Sequence, residues 1–464
     1  MSPEGLRASE EKMRAAGVPE VAIATFAHYY RQLEAGERGL LPESAIEPVE
    51  SVPSAEELPS DDGAAAGALD ATVVIKLNGG LGTSMGMTGA KSLLEVKDGL
   101  TFLDVIVRQT LELRRRQGVR LPLVLMNSFY TGDDSLEALR HHPEIESDVP
   151  ADFVQNKEPK LGVDDLHPVQ WPPDPELEWS PPGHGDLYTA LVTSGMLATL
   201  LERGYRYAFV SNSDNLGAVL EPRILGWLAR EEIPFLMEVA ERTEADRKGG
   251  HLARRREDGQ LVLRESAQTP DEDAEAFQDI RRHRYFNTNT LWLDLRALGD
   301  VLEERDNVLG LPMIVNRKTV DPADSSSPAV YQLETAMGAA ISVFPGARAL
   351  QVASERFAPV KTTNDLLGLR SDCYVLTEDA HVVVSPERRV GPLFVDLDPA
   401  HYKLLADFDA RFPSGPPSLV QCERLTVRGD VRFGAGVVCR GGVEVKGDGA
   451  IEDGAVLEGV TTLA

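Results

Sequence analysis

The residues best suited to chemistry are two lysines and an aspartate. One lysine ends a glycine-rich segment, the aspartate follows a predicted strand, and the second lysine precedes a predicted helix. Lys91 closes a segment, residues 76–91, in which five glycines fall within eleven positions. Glycine lets backbone N–H groups approach an anion closely, and the lysine adds a full positive charge. Asp214 follows a strand-like run and offers one carboxylate, which suits a Mg²⁺ held otherwise by waters and substrate phosphates. Together with Lys361, placed just before a predicted helix, they predict a site for a nucleotide or another phosphorylated ligand.

The glycine-rich segment departs from the two best-known phosphate-binding loops. A P-loop has its lysine directly after a glycine, whereas one alanine separates Gly89 from Lys91. The glycines within 80–86 are spaced one residue too widely for the Gly-x-Gly-x-x-Gly dinucleotide pattern. A tight turn without a ligand is the remaining alternative, but isolated turns rarely need five glycines and a lysine.

Two more polar residues are candidates for contact with a ligand. His184 lies between two glycines in the segment 181–186, where we expect little cover. Buried histidines more often lie in apolar runs, so contact with a ligand is favoured here. Gln155 offers a side-chain amide that could bind the edge of a base, although an isolated glutamine is by default a surface residue. No Ser/His/Asp or Cys/His triad is evident.

Composition excludes several classes of protein. The chain has 464 residues, enough for two or three domains, and a net charge of −27, which argues against binding nucleic acid or anionic membranes. Its three cysteines form no Cys-x-x-Cys pair, so neither a disulfide framework nor a cysteine-rich zinc site is expected. The first residues lack an apolar signal core, and no run approaches a membrane span. We expect a cytoplasmic protein without membrane partners.

The elements that must position these residues follow from the hydrophobic pattern. Strand-like and helix-like segments alternate from 71 to about 375, which predicts an α/β domain with a largely parallel sheet covered on both faces. Ligands of such sheets bind at the carboxyl ends of the strands, where the polar motifs lie. The predicted elements are strands at 71–75, 121–126, 207–211 and 234–240, and a helix at 101–116.

The flanking segments predict three further units. Residues 1–70 comprise helices up to about 40 and then, over 42–70, an extended acidic connector. Residues 376–417 form a linker region. In residues 418–464 an apolar residue recurs every six positions among glycines, which predicts a short left-handed β-helix of about two turns. So short a solenoid should pack on the body or on a second copy of the chain. The apolar positions are Leu425, Val431, Val437 and Val443.

Taken together, the motifs resemble the UDP-glucose pyrophosphorylase family, the UTP–glucose-1-phosphate uridylyltransferases of the eukaryotic type. The resemblance runs in order from about residue 71 to 375, and the expected β-helical tail agrees with it. The segment around Gln155 departs from the usual family pattern. The stretches that carry the resemblance are 76–82, 122–129, 181–186, 211–217, 242–246, 285–289, 333–340 and 361–366.

The resemblance implies a glycosyltransferase-A-like nucleotidyltransferase core with a mixed, Rossmann-like sheet flanked by helices. It implies that Lys91 and Lys361 act on the phosphates during catalysis and that Asp214 binds Mg²⁺. The sugar phosphate would be bound by His184, Asn212 and Asn287. The residues implied for UTP are Leu77, Asn78, Gly79, Gly80, Lys91, Gln155, Gly183, Asp214 and Lys361.

The implied substrates predict the mechanism. Glucose 1-phosphate is largely a dianion near neutral pH, because the second phosphate pKa is about 6. Its oxygen can therefore attack the α-phosphorus of UTP without a general base, provided that the two anions are aligned and their charge is offset. Two alternatives stay open. The sugar could be another, such as galactose 1-phosphate, or the chain could be a non-catalytic UDP-sugar sensor, which we would expect to have lost a lysine or the carboxylate.

Overall fold

The computed structural model describes residues 4–59 and 62–463 of the chain. None of the helices within these ranges combines the length and apolarity needed to cross a membrane. The α-helices of the described residues are α1 Glu4–Ala15, α2 Glu20–Glu34, α3 Asp62–Asp70, α4 Phe102–Gln117, α5 Gly132–Leu139, α6 Leu187–Thr193, α7 Met196–Glu202, α8 Pro222–Arg230, α9 Ala274–Gln278, α10 Leu295–Glu304, α11 Thr363–Arg370, α12 Pro399–Tyr402 and α13 Leu405–Arg411.

The strands of the same residues fall into a central sheet, several two- or three-stranded ribbons, and a parallel stack near the end of the chain. The first ten are β1 Ile46–Pro48, β2 Thr72–Asn78, β3 Glu95–Lys97, β4 Leu100–Thr101, β5 Leu123–Asn127, β6 Asp152–Val154, β7 Glu158–Pro159, β8 Leu161–Gly162, β9 Trp179–Ser180 and β10 Tyr207–Asn212. The others are β11 Phe235–Glu241, β12 His251–Arg255, β13 Leu261–Arg264, β14 Tyr285–Asp294, β15 Met313–Thr319, β16 Ala329–Thr335, β17 Arg348–Gln351, β18 Tyr374–Leu376, β19 Val382–Val384, β20 Phe394–Asp396, β21 Ser418–Arg428, β22 Val431–Phe433, β23 Val438–Lys446, β24 Gly449–Ile451 and β25 Val456–Thr462.

The central sheet is mixed, with a parallel half and an antiparallel half. Strands β10, β2, β5 and β6 lie side by side and parallel, as the alternation of strands and helices predicts. Beyond β10 the order changes, because β14 is antiparallel to both β10 and β11. The prediction of a largely parallel sheet is therefore wrong for this half. β12 and β13 form a hairpin, and such a direct connection produces antiparallel pairing. β14 enters the sheet after the segment that contains α9 and is antiparallel to β12 as well.

Local sequence accounts for β2 and α4, two elements on either side of the glycine-rich segment in the chain. Val73 and Ile75 of β2 are buried, as are their neighbours on the opposite face, which fits a strand covered on both faces. The predicted helix is α4. Thr101 begins it with a capping box, in which its hydroxyl accepts from the Asp104 N–H while the Asp104 carboxylate accepts from the Thr101 N–H. Gly118 ends it with a φ of 65°, a left-handed conformation that suits glycine.

The register of the parallel strands brings four chain segments to one edge of the sheet. Leu77 of β2 pairs with Asn212 of β10, and Asn78 pairs with Asn127 of β5. Asn127 in turn pairs with Val154 of β6. The segments that follow β2, β5, β6 and β10 therefore leave the sheet together at its carboxyl edge, where a ligand is expected in folds of this kind.

The N-terminal part of the chain is folded further than its sequence predicts. The helices expected before residue 40 are α1 and α2, whose apolar side chains, such as Phe26, are buried against β8 and β16. The prediction of an extended connector over 42–70 is wrong for the residues of this range that the structure describes, 42–59 and 62–70. β1 pairs with β12, and α3 packs on α8 so closely that a Cβ on Gly226 would lie 3.2 Å from Cβ of Ala65. Alanine is a strong helix former, and the small side chain of Ala65 permits this close approach.

Near the end of the chain, strands β21, β23 and β25 stack in parallel. Leu425 of β21 pairs with Val443 of β23, eighteen residues further along the chain. The four apolar residues that define the six-residue period, Leu425, Val431, Val437 and Val443, are all buried. The predicted apolar face is therefore confirmed as the core of this stack.

Candidate active site

The glycine-rich segment turns back on itself and brings Lys91 to the end of β2. The Lys91 N–H donates a hydrogen bond of 3.0 Å to the carbonyl oxygen of Gly80. A Cβ on Gly79 would lie 3.2 Å from Oε1 of Gln155, so the amide of Gln155 lies directly against this glycine. Gly80 is exposed, with no neighbour within 4 Å of an added Cβ, which leaves its backbone open to a ligand. Three residues that the sequence assigns to UTP, Gly79, Gly80 and Gln155, are thus brought together.

Lys91 and Asp214 form an ion pair across 123 residues of sequence, with Nζ and Oδ2 separated by 2.6 Å. Only 13% of the lysine side chain and 20% of the aspartate side chain are exposed. The other carboxylate oxygen, Oδ1 of Asp214, is buried and has no hydrogen-bond partner among the described residues. A buried carboxylate oxygen whose lone pairs accept no hydrogen bond fits a divalent cation, which takes oxygen ligands and can keep several waters. The described residues contain no cluster of three His, Cys, Asp or Glu side chains, so a cation bound by Asp214 would take most of its ligands from water and substrate.

Lys361 lies beside the same aspartate, because its segment is bonded to the loop that follows β10. The Val360 N–H donates 3.1 Å to the carbonyl oxygen of Asp214. The Lys361 side chain is exposed, and its Nζ lies 5.6 Å from the centroid of the Phe357 ring. Asp365 accepts from the Lys361 N–H at 2.8 Å and completes the cap of α11. The cap holds the backbone while the ammonium group remains free to approach a phosphate.

The segment 181–186 closes against β16, and glycine permits the approach. Gly183 has a φ of 77°, and a Cβ there would lie 2.5 Å from the carbonyl oxygen of Thr335. The Thr335 N–H donates 2.9 Å to the carbonyl oxygen of Pro182. A side chain at position 183 would therefore break the contact that places the neighbouring His184.

His184 is partly buried, contrary to the little cover expected from its glycine neighbours. The Met337 N–H donates to Nδ1 of His184 at 3.0 Å. Because Nδ1 accepts this hydrogen bond, the neutral ring carries its proton on Nε2. Burial lowers the pKa of His184 to about 4. The residue is therefore suited to donate a hydrogen bond to a phosphate oxygen as a neutral group.

Asn287 lies against the same turn, residues 337–338, that His184 contacts. A Cβ on Gly338, next to Met337, would lie 2.7 Å from Nδ2 of Asn287. The Asn287 amide is held by Asn289, because Nδ2 donates 2.8 Å to Oδ1 of Asn289 and Oδ1 accepts 2.9 Å from the Asn289 N–H. This reciprocal pair leaves one proton and one lone pair of Asn287 for a ligand.

The other predicted residues at the strand ends differ in whether their side chains are free to contact a ligand. The side chain of Asn78 is buried and donates 2.8 Å to both Asn127 Oδ1 and Ser135 Oγ, so only its backbone could face a nucleotide. Leu77 is partly buried at the end of β2. Asn212, its partner in the register, makes no side-chain hydrogen bond with the described residues and keeps its amide available.

Contacts that the sequence does not predict join the segments of the site to one another. The backbone N–H and the side chain of Asn156, next to Gln155, both donate to the carboxylate of Asp186. Burial raises the pKa of Asp186 to about 7, and these two hydrogen bonds oppose that rise. On the other side, the rings of Phe286 and Phe357 meet edge to face at 4.9 Å. Asn156 follows Gln155 and Asp186 ends the segment 181–186, but nothing in the sequence pairs the two residues.

Glu265 is a further residue that sequence reasoning missed. Its carboxylate is so close to Gly250 that a Cβ there would lie 2.5 Å from Oε2. Burial raises its pKa, and the positive charge of Lys361 opposes that rise, so the carboxylate and the ammonium group act on each other. Glu265 lies in no recognisable motif, and only the fold brings it towards Lys361.

We expect His184 to stay neutral throughout the physiological pH range. An unfolded histidine takes up its proton at about pH 6.5, whereas burial lowers the pKa of His184 to about 4. The stability that this group contributes is therefore complete above pH 6.5 and is lost as the pH falls towards 4. Nitrogen NMR of ¹⁵N-histidine-labelled protein, with the His184→Gln variant to assign the signal, should show no titration between pH 5.5 and 8. A midpoint above pH 6 would contradict the assignment.

Comparisons with known proteins show the family of this chain. A model of the family described as UTP–glucose-1-phosphate uridylyltransferase matches residues 23–440. The potato (Solanum tuberosum) enzyme of that name is 42% identical over 395 residues, covering 84% of this chain and 80% of the potato protein. A mutant UDP-glucose pyrophosphorylase from Leishmania major, solved in complex with UDP-glucose, has a TM-score of 0.92 and 47% identity, covering 100% of this chain and 99% of its own. A UDP-glucose phosphorylase structure from Trypanosoma brucei has a TM-score of 0.90 and 46% identity, covering 99% of this chain and 100% of its own. The family model covers the strand-end loops, the segment 181–186 and Lys361 alike. The chain therefore belongs to the UTP–glucose-1-phosphate uridylyltransferase family.

Proposed function

We propose that this protein is a nucleotidyltransferase that transfers the uridylyl group of UTP to glucose 1-phosphate, giving UDP-glucose and pyrophosphate. One observation carries the proposal. Lys91 and Asp214 form an ion pair, and the segment of Lys361 is hydrogen-bonded to the same aspartate. Three charged residues from distant parts of a chain with a net charge of −27 are thus brought to the carboxyl edge of the sheet. The names of the relatives, and UDP-glucose in the Leishmania major structure, support the same substrates.

The reaction requires alignment more than proton transfer. A phosphate oxygen of glucose 1-phosphate forms a new bond to the α-phosphorus of UTP, and the bond from that phosphorus to the bridging oxygen breaks, releasing pyrophosphate. Neutral His184 would donate from Nε2 to the sugar phosphate and hold the attacking oxygen in line. The ammonium groups of Lys91 and Lys361 would offset the charge of the crowded phosphates. Mg²⁺ fits the free oxygen of Asp214 and, when bound, would offset part of the same charge.

A pyrophosphate-release assay tests the reaction and its specificity. Each of the four common ribonucleoside triphosphates is combined with glucose 1-phosphate, galactose 1-phosphate and other sugar 1-phosphates in the presence of Mg²⁺. We expect the highest kcat/KM for UTP with glucose 1-phosphate. A higher value for another sugar would replace the proposed acceptor, and no turnover with any pair would indicate a binding protein.

We also propose the finer architecture, with a glycosyltransferase-A-like catalytic domain over 71–375 and a linker region over 376–417. The mixed sheet, with ligand loops at the carboxyl edge of its parallel half, supports the first assignment. Residues 418–464 would form a short left-handed β-helix, for which the eighteen-residue spacing of paired strands is the support. Residues 1–70 would form an N-terminal segment bound to the catalytic domain, and the protein would act in the cytoplasm.

The last strand of that unit predicts self-association through a second copy of the chain. β25 pairs with β23 on one side only among the described residues, and its Val456 and Val460 are 55% and 65% exposed. An open strand edge with apolar side chains is a template for another strand. Light scattering should give a mass above the monomer that Val460→Lys lowers, while Val384→Lys, at an exposed valine of β19, leaves it unchanged. A monomeric wild-type protein would rule out this interface.

A further inference from the structure

The positions of Asp214 and Lys361 depend on two segments that meet below them. We call residues 213–219, which follow β10, the Asp214 loop, and residues 354–361 the Lys361 segment. Apart from one turn of 3-10 helix at Ser354–Arg356, both are irregular, and neither has an α-helix or a strand of its own to hold it in place. Their relative position therefore depends on the contacts between them.

Asn215 supplies the largest share of these contacts. Its side chain is buried, with 2% of the residue exposed. Nδ2 donates 2.9 Å to the carbonyl oxygen of Arg356, and Oδ1 accepts 3.0 Å from the Ala358 N–H. The same oxygen accepts 3.2 Å from the Gly217 N–H within its own loop. One side-chain amide thus satisfies both a donor and an acceptor of the Lys361 segment, and Asn215 also forms an isolated antiparallel bridge with Pro359.

The rest of the interface is arranged around this amide. A Cβ on Gly217 would overlap the carbonyl oxygen of Glu355, so the two backbones approach as closely as glycine allows. The guanidinium group of Arg356 donates 2.9 Å to the carbonyl oxygen of Val219 and 2.6 Å to Oε1 of Glu238. Glu238 belongs to β11 and is fully buried. The central sheet therefore anchors both segments, while Asn215 sets their distance from each other.

We propose that Asn215 is a positioning residue for the uridylyl transfer, which holds Lys361 at the distance from Asp214 that the reaction needs. The inference rests on the proposed function and adds to it a residue that does not itself contact substrate. An asparagine is required because the site needs a donor and an acceptor on a short side chain. Alanine offers neither group, aspartate offers no donor to the Arg356 carbonyl, and glutamine is one methylene too long.

The test is a double-mutant cycle with Lys361. In otherwise wild-type enzyme, Asn215→Ala and the isosteric Asn215→Asp should each lower kcat by about 10–10²-fold, since small misplacements of reacting groups have effects of this order. KM for UTP should change less than about threefold, because no substrate contact is removed. In the Lys361→Met background the same changes should lower kcat by less than about twofold, as the group that Asn215 positions is already absent. Losses that multiply in the double variant would overturn the proposal.

Amide hydrogen exchange provides a readout that does not depend on activity. The Ala358 N–H loses its acceptor in Asn215→Ala, so exchange across 358–361 should be faster by tenfold or more. Gln260→Ala is the matched control, because the Gln260 amide also ties a loop to a distant carbonyl oxygen, that of Ile341, at 2.7 Å. It should alter neither kcat nor exchange at 358–361. Unchanged exchange at 358–361 in Asn215→Ala of an active enzyme would overturn the inference, whereas failure of the proposed function would appear as absent turnover in the wild type.

Discussion

Replacing Lys361 with methionine is expected to lower kcat by about 10²–10³-fold, as for other groups that stabilise charge in a transition state. The Lys361 side chain is exposed, and its segment is hydrogen-bonded to Asp214, near which charge would build up on the α-phosphate during transfer. An interaction that strengthens in the transition state contributes to kcat more than to binding, so the affinity for UTP should change far less. Methionine keeps most of the volume of the lysine stem, which limits effects on packing.

Steady-state kinetics and calorimetry of UTP binding check this expectation. Lys361→Arg should restore only part of kcat, because a planar guanidinium does not reproduce a compact ammonium group. Lys446→Met, at a half-exposed lysine of β23, is the control for removing one positive charge and should leave kcat unchanged. If Lys361→Met instead weakens UTP binding and leaves kcat intact, the lysine binds the ground state and its proposed role is wrong.

Asp214→Asn is expected to abolish turnover, with a loss on the order of 10³-fold or more, while the fold stays intact. The amide has nearly the shape of the carboxylate but no charge, so it attracts Mg²⁺ much less. It also removes the ion pair that holds Lys91, whose Nζ lies 2.6 Å from Oδ2 of Asp214. Mg²⁺ and the Lys91 ammonium group would thus both lose the carboxylate that holds them near the phosphates.

Turnover measured over a range of Mg²⁺ concentrations tests this prediction, and paramagnetic resonance of Mn²⁺ bound with UTP gives a second readout. We expect weaker Mn²⁺ binding in Asp214→Asn. Asp258→Asn, in the hairpin between β12 and β13, removes an exposed carboxylate paired with Arg255 and should change neither quantity. Turnover like that of the wild type at saturating Mg²⁺ would show that Asp214 does not bind the metal.

Features governed by neighbouring residues could be derived from the sequence alone. The β-branched run before the glycines predicts a buried strand, and β2 is one. Amphipathic spacing predicts α4, and the six-residue period predicts the buried face that begins at Leu425. The chemistry of single residues belongs to the same class. A lysine beside glycines and an aspartate at a strand end predict phosphate and metal binding wherever the fold places them.

Only the tertiary structure decided which of these residues meet. The ion pair of Lys91 with Asp214 depends on the register of β2 and β10, which no local pattern encodes. The same holds for Asn78, whose side-chain amide donates to buried residues, and for Glu265, which lies in no motif but is close to Lys361 in the fold. A polar side chain is equally well satisfied by water or by another residue until packing excludes the water. Its role therefore depends on neighbours distant in sequence, and the fold alone supplies them.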